Sequence, residues 1–90
     1  MLRPDTPKIF KKDHKRCVKR GLDMTKIDKV MLQLISEEPL EPELRDHPLI
    51  GNWTGRRECH IAPNWLLIYK IQPPYIIFER TGTHTDVFDK

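Results

Sequence analysis

Arg56-Arg57-Glu58-Cys59-His60-Ile61-Ala62-Pro63-Asn64-Trp65-Leu66-Leu67-Ile68-Tyr69-Lys70-Ile71-Gln72-Pro73-Pro74-Tyr75-Ile76-Ile77-Phe78-Glu79-Arg80-Thr81 is the stretch that decides the fold. Its runs are rich in β-branched and aromatic residues, and they break at Pro63-Asn64 and again at Pro73-Pro74. That predicts three strands, Arg56 to Ile61, Trp65 to Gln72 and Tyr75 to Thr81. Connections this short make them an antiparallel meander.

Upstream the period changes to that of helices. Pro7 to Arg20 reads as a basic helix, with Thr6 as its cap and Gly21 as its stop. Phe10, His14, Cys17 and Val18 fall on or near one of its faces. A second helix begins at Asp23 or Thr25. Its apolar stripe is Ile27, Val30, Met31, Leu34 and Ile35, spaced i, i+3, i+4, i+7 and i+8. Met1 to Thr6 is a candidate first strand, and Pro39 to Asn52 a long connection that carries His47. Two N-terminal helices packed on one face of a small, mainly antiparallel sheet make an α+β fold. Ninety residues suffice for one such domain, 1–90.

The net charge of +3 favours an anionic partner without establishing one. Its distribution is uneven. Ten basic residues stand against four acidic ones up to Lys29, whereas Glu37 to Asp46 is acidic. The two cysteines, Cys17 and Cys59, suit reduced core positions, and no CxxC or HxxxH pair suggests a metal. No metal and no cofactor is expected. No secretory segment or membrane-spanning run is visible, so the expected compartment is the cytoplasm.

Register then brings chemistry together. With a turn at Pro63-Asn64, His60 faces Leu67 and Glu58 faces Tyr69. With the second turn centred on Pro73-Pro74, Tyr69 faces Phe78 and Leu67 faces Arg80. Glu58, His60, Tyr69 and Arg80 would then share one sheet face. A carboxylate, an imidazole, a phenol and a guanidinium are poor core material. They suit a phosphodiester site. Beyond Gly82 the chain adds His84, able to transfer protons near neutral pH, and Phe88, a face for a nucleobase.

Several motifs follow one another in order: Asp46-His47-Pro48-Leu49, Gly51-Asn52-Trp53, Arg57-Glu58-Cys59-His60, Pro63-Asn64-Trp65-Leu66-Leu67-Ile68-Tyr69, Glu79-Arg80-Thr81-Gly82-Thr83-His84 and Phe88. As a set they resemble the YafQ branch of the RelE superfamily of bacterial toxin ribonucleases. The resemblance implies an mRNA interferase that cuts messenger RNA on the ribosome without a metal. It also implies an antitoxin partner, usually a ribbon-helix-helix protein, and contact with operator DNA only through that complex. By position, His47, His60, His84 and Phe88 match site residues, Glu58 and Arg80 match positions used in close relatives, and Trp65 matches an aromatic beside the site. Asn64 departs from the pattern, because many members carry aspartate there.

The expected roles are His84 as general acid, Arg80 as phosphate clamp, Glu58 or His60 as base, and His47 assisting. Phe88, Trp65, Asn64 and Tyr69 are the candidate substrate contacts. The alternatives are a ParE-like gyrase inhibitor of the same fold, a non-catalytic RNA- or partner-binding homologue, and a metal site built from the histidines. The histidine set argues against the first, since poisoning gyrase needs no acid or base.

Overall fold

The computed structural model describes residues 1–88. The elements in order are β1 (Arg3–Asp5), α1 (Lys8–Lys19), α2 (Met24–Ile35), β2 (His47–Pro48), β3 (Arg57–Ala62), β4 (Trp65–Gln72), β5 (Tyr75–Gly82) and α3 (His84–Phe88). The five strands form one sheet in the order β1-β5-β4-β3-β2. β1 runs parallel to β5, and the other pairings are antiparallel. This is the α+β layout expected from the sequence. No helix among the described residues is long and apolar enough to cross a membrane.

Local chemistry explains the helix ends. Pro7 occupies the cap position of α1 without a side-chain cap bond, so Thr6 does not play that part. At the other end Leu22 N donates to Cys17 O and Gly21 N to Val18 O, with Gly21 at φ +77°. That double bond pattern needs a left-handed residue, which glycine supplies without steric cost. Asp23 caps α2 by accepting from Thr25 N at 3.1 Å, which holds its carboxyl below the usual range.

Both helices lie on one sheet face. Phe10, Cys17, Ile27, Val30 and Leu34 pack there against Cys59, Ile61, Trp65, Leu67, Tyr69, Ile76 and Phe78. Cys17 and Cys59 are free and buried, and burial pushes the Cys59 thiol up to about 12. These are inert core thiols.

Two features depart from expectation. Val18 is exposed, and the buried helix face of α1 uses Asp13 in its place. Asp13 is 1% exposed and accepts from Arg80 Nε at 2.7 Å, Arg80 Nη2 at 3.2 Å and Thr81 N at 3.2 Å. β1 covers β5 only at Tyr75 to Ile77. The carboxylate of Asp13 therefore caps β5 beyond the point where β1 ends. The second departure lies in Pro39 to Asn52. It holds two single 3₁₀ turns and the two-residue strand β2, which pairs His47 with Glu58.

Removing one partner of a buried ion pair leaves the other charge uncompensated. We expect Asp13→Ala to lower the unfolding free energy by about 3 kcal/mol, the low end for such pairs because Arg80 retains some solvent contact. Urea unfolding of the variant against the wild type measures this.

Candidate active site

The meander carries two bulges, and they rearrange the expected face. Between His60 and Ala62 the β3–β4 register shifts by one, so Glu58 faces Ile68 and His60 faces Leu66. Between Ile68 and Tyr69 the β4–β5 register shifts as well, so Arg80 faces Ile68. The expected pairs Glu58–Tyr69 and His60–Leu67 do not form. Glu58 and Arg80 instead fall in one row, and Tyr69 turns to the opposite face. A bulge moves every later side chain by one position.

Tyr69 is accordingly a core residue, 1% exposed, and not a substrate contact. Its hydroxyl donates to Asp46 Oδ1 at 2.6 Å, and burial followed by that bond raises its pKa well above normal. Asp46 also accepts from Arg57 Nε at 3.3 Å. This anchoring fixes the loop just before His47. Trp65 is likewise in the helix-side core, where its Nε1 donates to Thr81 Oγ1 at 2.9 Å. It lies beneath the site, too enclosed to meet a substrate. Asn64 is exposed in the β3–β4 turn and lines a shallow cleft with Gly82 and Thr83.

The remaining candidates gather on the other face. His47 Nε2 lies 2.9 Å from Glu58 Oε2, and His60 Nε2 lies 3.9 Å from the same oxygen. Glu58 is 5% exposed, and its Oε1 is buried without a hydrogen-bond partner among the described residues. Rings then continue in a row. His47 and His60 have centroids 6.4 Å apart, His60 and His84 6.2 Å, His84 and Phe88 5.9 Å, and Phe88 and Trp53 5.5 Å edge to face. Trp53 was not singled out from the sequence. Its place after Gly51-Asn52, in a loop too polar to need a core tryptophan, was the available signal.

His84 is held more firmly than the strand break at Gly82 suggests. Thr83 N donates to Asp86 Oδ2 at 2.9 Å, and Asp86 N donates to Thr83 Oγ1 at 3.1 Å. This reciprocal pair is a capping box, with aspartate in the acidic position. Gly82 sits at φ +146°, and a Cβ there would meet Asp86 Oδ2 at 2.8 Å. Asp86 also accepts from Arg20 Nη1 and Nη2 and lies 3.5 Å from Arg16. The Arg20 bond holds the Asp86 carboxyl far below the usual carboxylate range. A depressed carboxyl pKa contributes stability above the unfolded value near ~4, and this is lost as pH falls towards the folded one. The tie between α1 and α3 is thus complete at neutral pH.

Arg80 shares the register row of Glu58, but its guanidinium turns to Asp13 and to Asp86 O, which accepts from Nη2 at 3.2 Å. Nε and both Nη2 protons are committed, leaving those on Nη1. It is a fixed cation bridging α1, β5 and α3.

A sheet face bearing a buried carboxylate among imidazoles, closed by a capped helical turn, defines a class of small acid–base enzyme on a RelE-like scaffold. A family model described as the bacterial toxin of type II toxin-antitoxin system, YafQ, matches residues 2–89, and the chain belongs to that family. The mRNA interferase toxin YafQ of Escherichia coli K12 is 45% identical over 80 residues, spanning 88% of this chain and 87% of that protein. The crystal structure of the Escherichia coli DinJ–YafQ complex superimposes with a TM-score of 0.91 at 40% identity, covering 98% of this chain and 99% of that one. A metal-bound toxin from Helicobacter pylori does so at 0.91 and 41%, covering 98% and 100%.

Asp86 has two separable jobs. Asp86→Asn keeps an acceptor for Thr83 N but loses the charge facing Arg20, whereas Asp86→Ala loses both. If the capping box places His84, Asp86→Ala should lower single-turnover RNA cleavage by ~10-fold, and Asp86→Asn should cost clearly less. Equal losses would assign the effect to the ion pair alone. The scale is that of a misplaced catalytic group.

Proposed function

We propose that this chain is an mRNA interferase, the toxin of a type II toxin-antitoxin system, and that it cuts RNA by attack of the 2′-hydroxyl on the adjacent phosphate. The observation that carries the reading is the ring row His47–His60–His84 beside Glu58, with Phe88 at its end. Cleavage of this kind needs a base, an acid and a cation, all without a covalent enzyme intermediate.

Exposure separates the two candidate bases. Glu58 is nearly sealed, while the side chain of His60 is 20% exposed and faces His84. His60 takes the 2′-hydroxyl proton, and Glu58 at 3.9 Å balances the imidazolium that results. The 2′ oxygen bonds to phosphorus, and the bond to the 5′ oxygen breaks. His84 protonates that departing oxygen. The products are a 2′,3′-cyclic phosphate and a 5′-hydroxyl. Negative charge on the phosphorane is met by the Nη1 side of Arg80 and by His47. Phe88 stacks on a nucleobase, with Trp53 holding its edge. Asn64, exposed beside Thr83, contacts the substrate through its amide.

The ribosome is the proposed setting, in the cytoplasm where messenger RNA is translated. The proposed antitoxin is of the ribbon-helix-helix type, with operator DNA bound only through the complex. It covers the basic surface of α1 or the groove at Arg80 and His84. The excess of Lys and Arg on α1 and the DinJ complex of the Escherichia coli relative support this.

The test is single-turnover cleavage on programmed ribosomes, with binding scored separately. His84→Ala and His60→Ala should each bind nearly as wild type and cleave ~10²-fold or more slowly, the ordinary worth of a general acid or base. Near wild-type cleavage by either variant would remove that residue from its role. Loss of binding would make it a recognition residue.

A further inference from the structure

We propose that His47, Glu58 and His60 bind a divalent transition-metal ion, and that the bound ion switches the ribonuclease off. The first half stands on geometry alone. The second rests on the proposed acid–base reading of the same side chains.

Three observations converge. One ligand atom from each of the three residues lies within 4.8 Å of the other two. Ligand atoms around a tetrahedral zinc ion at ~2.1 Å are ~3.4 Å apart. The separations of Glu58 Oε2 from the two imidazoles, 2.9 and 3.9 Å, straddle that value. Adjustments of half an ångström or so would seat an ion.

Second, His47 is oriented as metal-bound histidines are. Its Nδ1 lies 3.1 Å from Pro48 O, and a carbonyl can only accept, so Nδ1 carries the hydrogen. Nε2 then aims its lone pair at Glu58 Oε2, an arrangement that requires a cation between them, either a proton or a metal. Outer-shell carbonyls of this kind fix the tautomer of ligating histidines. Third, Glu58 Oε1 is buried without a partner among the described residues, so the carboxylate has unused acceptor capacity.

Two imidazoles and one carboxylate select zinc, copper or nickel over magnesium. Three protein ligands leave a fourth position open for water. The same lone pairs serve the reaction. An ion on His60 removes the proton acceptor, and the positive charge added beside His84 disfavours its protonated form. Occupancy therefore inhibits cleavage and does not promote it.

Sequence spacing concealed this group because the ligands are a strand pair, i and i+2, and a cross-strand neighbour. None of the helical spacings searched for describes it.

Titrate the purified protein with zinc chloride by calorimetry and with copper(II) chloride by electron paramagnetic resonance, without RNA. The expected result is a single equivalent bound, with nitrogen couplings from two imidazoles. His47→Ala should show one imidazole and ~100-fold weaker binding, beyond the loss typical of an outer-shell residue. His84→Ala should bind as wild type. Zinc should raise the melting temperature of wild type and not of His47→Ala, which also reports that the variant is folded. In the cleavage assay zinc should inhibit, and EDTA should restore the rate. Absent binding, or binding undiminished in His47→Ala, overturns the site. Activation by zinc overturns the inhibitory role. Absence of cleavage with and without EDTA overturns the ribonuclease reading, and the titrations still decide the site.

Discussion

The buried pairing of Asp13 with Arg80 is the constraint on which the rest of this structure depends. It joins the first helix to the last strand. It satisfies the amide of Thr81 where β1 has ended, and through Arg80 Nη2 it reaches the backbone of α3. An open strand edge is a liability in any small sheet protein. Here a carboxylate closes it, and the cation that neutralises the carboxylate is thereby fixed beside the candidate site. Geometry this specific repays desolvation only when the remaining donors and acceptors are also met.

Around that anchor the site is built from short pieces, each held by its own device. β2 contributes two residues, and its position depends on Asp46 bonding Tyr69 and Arg57 from the helix side of the sheet. α3 is a five-residue turn that would be marginal alone, and Thr83, Asp86, Arg20 and Gly82 secure it. His60 alone stands on a strand of ordinary length. Two flanking histidines are brought to it by loops whose anchors lie elsewhere in the chain.

Much of this was legible in the residues. The Pro63-Asn64 and Pro73-Pro74 breaks placed three strands, and the stripe at Ile27, Val30, Met31, Leu34 and Ile35 placed α2. The two bulges were not legible, because nothing in Ile61 or Glu79 marks an extra residue in a ladder. They moved Tyr69 into the core and Arg80 into the row of Glu58. Asp13 was also hidden, since a search for apolar periodicity passes over a buried charge and takes Val18 in its place. The strand β2 is too short to show a period of two. The motif set around His47, His60, His84 and Phe88 carried the family, which is why function was easier to read than register.

Attack by the 2′-hydroxyl, assisted by a ring row of imidazoles, leaves a chemical signature that no other route to RNA cleavage shares in full. The most direct measurement is end-group analysis of cleaved transcripts in the presence of EDTA. The account predicts 5′-hydroxyl ends paired with 2′,3′-cyclic phosphates, with full activity under chelation. Products ending in 5′-phosphate and 3′-hydroxyl, or a requirement for added metal, would contradict it, because either outcome makes water the nucleophile or an ion the catalyst.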